Sequence, residues 1–111
     1  MKFLSVIKSL LKAVWDKIKK LAVYVLRFLT NIVAFFKDPN RLGKLKENKD
    51  RIAVAIKEKL DNGDYEVVNC LFDKEQAELV DPEEDAEVIS ASELDEETLA
   101  QFKGKDMLVL T

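Results

Sequence analysis

The chain has 111 residues, 48% hydrophobic and 35% charged, with three Gly, two Pro, one Cys and no His. That length suits one small domain, or one element plus a smaller domain, and the apolar fraction is too high for a wholly disordered polymer. Without histidine, Ser-His-Asp triads, Cys-His pairs and imidazole metal sites are excluded, and a single cysteine cannot form an internal disulfide.

The net charge of −3 conceals two opposed halves. Residues 1–60 carry 15 Lys or Arg against 5 Asp or Glu, whereas residues 61–111 carry 3 against 16. A basic first half and an acidic second half attract one another, within one chain or between neighbours. Composition divides the sequence into 1–37, 38–63 and 64–111.

Residues 2–36 place Leu4, Ile7, Leu11, Val14, Ile18, Leu21, Val25, Phe28, Ile32 and Phe35 at alternating three- and four-residue spacing. That seam predicts one continuous basic amphipathic helix, roughly 50 Å long. Over residues 2–20 the opposite face is polar, with Lys2, Ser5, Ser9, Lys12, Asp16, Lys19 and Lys20. Residues 21–36 are apolar nearly all round, interrupted by Arg27, Thr30 and Asn31, so this part must be covered by protein or lipid. Asp38-Pro39-Asn40 is expected to end the helix, because the residue before proline leaves the α region.

Residues 38–63 read as a basic connector and a second helix from about Leu45 to Leu60, closed by Asp61-Asn62-Gly63. Residues 64–111 read as an acidic α+β unit with three to four short strands and one helix. Its strands are expected at 65–72, 76–80, 86–91 and 106–110, the first two forming a hairpin. Ser92-x-x-Asp95 opens a helix through Phe102. The fold class is therefore α+β.

Little of this sequence points to chemistry. Cys70 lies in an expected strand and reads as a small buried hydrophobe. The acidic runs 81–87 and 93–97 lack the spacing of a calcium loop, and Ser90 and Ser92 have no base nearby in sequence. There is no phosphate-binding glycine loop and no cysteine-pair zinc motif, so no cofactor, metal or catalytic residue is assigned. Lys37, Arg41, Lys44, Lys46, Lys49, Arg51, Lys57 and Lys59 permit non-specific phosphate contact. Glu47, Asp50 and Glu58 dilute that run, and the acidic half repels phosphate, so nucleic acid is a disfavoured partner.

These features describe a non-enzymatic structural or interaction protein anchored by helix 2–36, with residues 64–111 as an acidic docking module. The anchor would lie on or in a membrane, or in a homo-oligomer or larger assembly, a layout that fits a phage or virion minor component. Its interface comprises the ten seam residues and Trp15, with Lys12, Lys19, Lys20 and Arg27 at the basic boundary. Two alternatives fit the same layout: a membrane-permeabilising helix masked by the acidic half, and a non-specific nucleic-acid-binding accessory. Lys8 and Lys12 break the first apolar run, so no cleavable signal peptide is evident, and the lone thiol suits a reducing compartment. Deleting residues 1–37 is expected to leave a soluble remainder.

Overall fold

A computed structural model describes residues 3–110, and among these the chain forms an α+β fold around a six-stranded mixed sheet. Helix α1 (Phe3–Ala13) and a 3₁₀ turn (Trp15–Lys17) lead into strand β1 (Lys19–Leu26). A π-helix (Phe28–Val33) runs directly into α2 (Ala34–Phe36), followed by α3 (Pro39–Glu47). Strands β2 (Arg51–Lys59), β3 (Tyr65–Asp73), β4 (Glu78–Leu79) and β5 (Glu87–Leu94) come next, then α4 (Glu96–Phe102) and β6 (Met107–Leu110).

The strand order is β1-β5-β3-β2-β6, with β1 and β5 parallel and every other pair antiparallel. Strand β3 pairs with β5 through its first residues and with the short β4 through Phe72 and Asp73. Alternation along the strands gives the sheet two apolar faces. One buries Ala53, Ala55, Val67, Leu71, Ile89 and Ala91 beneath Phe28, Ile32, Phe35, Phe36 and Phe102. The other buries Val54, Ile56, Val68, Cys70, Phe72 and Val88 beneath Ile7 and Leu11 of α1 and Ile18.

The continuous helix expected over residues 2–36 does not form; Lys2, its first residue, lies outside the described residues. A rod of roughly 50 Å would also outrun the fold, whose principal extents are 36 × 26 × 26 Å. The seam breaks at Val14–Ile18, where Val14 (φ −118°, ψ 15°) and Ile18 (φ −84°, ψ 136°) leave the helical region. Beyond it, Leu21, Val23 and Val25 alternate with Lys20, Ala22 and Tyr24, a period of two that suits a strand once β5 supplies the hydrogen bonds.

The second helix expected over Leu45–Leu60 is also corrected. Residues 51–59 are strand β2, with Ile52, Val54 and Ile56 alternating against Ala53 and Ala55. Asp61-Asn62-Gly63 therefore turns a β-hairpin, with Gly63 at φ 92°, a left-handed conformation glycine adopts at low cost. Asp38-Pro39 starts a helix as well as ending one. The Asp38 carboxylate accepts from the Asn40 and Arg41 N–H groups, and Pro39 occupies the first turn of α3, where its missing N–H costs nothing.

In the acidic segment, four strands and one helix form close to the expected positions, and β4 does turn back on β3. Helix α4 is capped by Asp95 rather than Ser92. The opposed charges meet within the chain: six of the seven ion pairs among the described residues join the basic half to the acidic half. The densest group packs α3 against the loop before β5. There Arg41 and Lys44 meet Asp85, and Lys44 also meets Asp81 at 2.7 Å.

Candidate functional site

The sequence-derived interface residues divide between the two cores. Ile7, Leu11 and Ile18 are buried on the α1 side of the sheet, and Phe28, Ile32 and Phe35 on the opposite side. Leu4, Val14 and Trp15 pack partly buried against the first group and Leu21 against the second, while Val25 is half-buried on β1. Lys12, Lys19, Lys20 and Arg27 are exposed. No described helix is long and apolar enough to cross a membrane.

The fold leaves two sheet edges open among the described strands, the outer side of β6 and that of β1. This strand ends the sheet and pairs only with β5 among the described strands. Tyr24 on β1 is 72% exposed, and Leu29, in the first turn of the π-helix, is 61% exposed. Lys19 and Lys20 precede them and Arg27 lies between, all exposed, so the edge carries both apolar and positive groups. Beside it, the Asn31 Oδ1 accepts from the Arg27 N–H at 2.8 Å, and the Asn31 carbonyl accepts from the buried Asn69 side chain at 3.0 Å. These bonds fix the start of the π-helix, whose second residue is Leu29.

A cleft of about 640 Å³ opens where α1 stops covering the sheet. Its lining includes Leu11, Ile56 and Val68, all almost fully buried, and the partly buried Trp15. Helix α1 contributes Lys8, Ser9 and Lys12 to the lining, and the sheet contributes Glu58 and Glu66. Glu58 and Glu66 are directly opposed on β2 and β3. Burial, reinforced by the Glu58 charge, pushes the Glu66 carboxyl above its ordinary value, while Lys20 acts against that. Lys20 itself donates to the Trp15 carbonyl at 2.5 Å and the Ile18 carbonyl at 3.2 Å.

Compared with family models, curated proteins and solved structures, the chain matches none. The site must therefore be read from its own chemistry. Cys70 is buried, and burial pushes its thiol up to about 12, far from the range of a nucleophile. Among the described residues no three acidic or cysteine side chains are grouped to hold a metal ion. Sequence reasoning missed both the β1 edge and the cleft, because a strand read as helix presents no edge. The alternation of Leu21, Val23 and Val25 was the signal available for it.

Proposed function

We propose that this is a non-enzymatic interaction protein that joins a protein assembly through the open edge of β1. The observation that carries this reading is the pair Tyr24 and Leu29, large hydrophobic side chains 72% and 61% exposed beside an unpaired strand edge. An unpaired edge offers a row of backbone donors and acceptors to an added strand, and apolar side chains beside it add contact area. Lys19, Lys20 and Arg27 bracket the edge, so the partner segment is an extended strand with acidic flanks. The anchoring role thus rests on an edge strand and not on a free helix.

The test is site-specific photo-crosslinking of the intact chain in its native cell. A photoreactive side chain at position 24 or 29 is expected to trap one discrete protein. The same group at Leu99, 46% exposed on α4, should trap none. Equal labelling from all three positions, or none from 24 and 29, would sink the reading. Adducts to lipid from 24 and 29 would move the contact to a membrane face.

A further inference from the structure

Two self-repelling pairs of like charge line the α1–sheet cleft, one pair on the helix and the other on the sheet. Glu58 and Glu66 sit directly across from each other on adjacent strands, an arrangement that costs stability. Lys8 and Lys12 lie one helical turn apart on α1 and repel for the same reason. Opposite charges in one cleft would relieve both pairs by bridging it, yet no ion pair within 4 Å joins these lysines to these glutamates among the described residues. The cleft includes the partly buried Trp15 in its lining and lies within the size range of ligand sites.

We propose that this cleft binds a small zwitterion with an apolar body, its ammonium group against Glu58 and Glu66 and its carboxylate against Lys8 and Lys12. Such a ligand relieves both repulsions at once and rests its apolar body on the partly buried Trp15, which a singly charged molecule of the same size cannot do. An extended dipeptide has its charged ends about 7 Å apart and so can bridge pairs that do not touch. This site goes beyond the β1 contact proposed above and uses none of Tyr24, Arg27 or Leu29.

Trp15 is the only tryptophan in the chain and lines the cleft, so its fluorescence reports occupancy. The intact protein is titrated with leucyl-leucine, with its N-acetylated form and with its C-terminal amide. The dipeptide should give a saturable change, and each capped form should bind about tenfold more weakly, the loss of one charge-assisted contact. E66Q should weaken the dipeptide and the amide but leave the acetylated form unchanged, and K12M should do the reverse. E58Q and K8M repeat the comparison should either first variant lose its cooperative unfolding transition. Absence of a saturable change at millimolar dipeptide overturns the proposal. So does equal binding of all three forms, or variant effects that do not sort by charge.

Discussion

Arg41 Nε lies 3.2 Å from the Asp85 carboxylate, with the two side chains only 19% and 5% exposed. The same guanidinium donates to the carbonyls of Phe35 and Glu84 and lies 3.8 Å from the Phe35 ring centroid. One side chain thus ties α2, α3 and the loop before β5 together. Removing one member of a buried pair leaves its partner without compensation. Asp85→Ala should therefore cost about 3 kcal/mol in urea denaturation. A loss below about 1 kcal/mol would mean that water replaces the carboxylate and that the pair is only a surface contact.

Asn69 is fully buried between the sheet and the π-helix, donating to the Asn31 carbonyl at 3.0 Å and to Glu87 at 3.4 Å. Replacing it with alanine leaves that carbonyl without its donor. Asn69→Ala should destabilise by about 1–3 kcal/mol. Amide exchange should quicken in residues 28–33 before it does in β2 or β3. Uniform acceleration would show that Asn69 supports the whole core and not the π-helix.

Cys70 supplies a chemical probe of global opening. Its thiol is buried and pushed up to about 12, so thiolate is scarce at neutral pH and reagents cannot reach it. Labelling by a disulfide-exchange reagent should be slow in the folded protein and fast in denaturant. Rapid labelling of the native protein would show that β3 opens locally.

Carboxyl groups in this fold shift in both directions. Glu66 and Glu87 are raised, each mainly by burial, so both bind a proton more tightly folded than unfolded. Their contribution is fully favourable below the unfolded carboxylate value and is lost as pH rises through the folded one. E66Q should therefore be more stable than the parent at neutral pH, with the difference shrinking on acidification. For Asp95, burial acts to raise the carboxyl, but hydrogen bonds from Thr98 and from the Phe28 N–H outweigh it and leave it lowered. Its contribution holds above the unfolded value and is lost as pH falls through the folded one. Asp95→Ala should cost about 1 kcal/mol at neutral pH as a lost helix cap, and less in acid. Thermal unfolding across pH 3–7, an interval spanning about four units around ordinary carboxylates, measures both trends.

Deletion of residues 1–37 now carries the opposite expectation from the sequence. It removes β1, the parallel neighbour of β5, together with Ile7, Leu11, Phe28, Ile32, Phe35 and Phe36 from the two cores. The truncated chain should aggregate or lose its cooperative transition. A monomeric, cooperatively folding remainder would mean that residues 38–111 form a domain without them.

The acidic half was the more legible part of this sequence. Tyr65–Phe72 is β-branched and aromatic, Ala86–Ala91 is apolar enough for a strand, and Gly104 sets the last strand apart from α4. The N-terminal half satisfied two periodicities at once. Leu21, Val25, Phe28 and Ile32 lie one helical turn apart, while Leu21, Val23 and Val25 also alternate as a strand does. What separates the two is a partner: Lys19–Leu26 aligns with Glu87–Leu94, a contact no local window contains. The same ambiguity hid β2, where Ile52 and Ile56 suit either period until β3 pairs with them. The β1 edge was hidden with its strand. The Glu58–Glu66 opposition was hidden with the register of a hairpin read as a helix end.

The parallel pairing of β1 with β5 also sets a clock on the nascent chain. Lys19 finds its neighbour Glu87 roughly 70 positions later, so the first strand emerges well before the strand that completes it. At about 5–20 residues per second, that interval is about 3–14 s of synthesis. Through it the aromatic-rich N-terminal third has neither sheet nor acidic half to shelter it, and escort by a chaperone at that stage would govern the yield of folded protein more than final stability does.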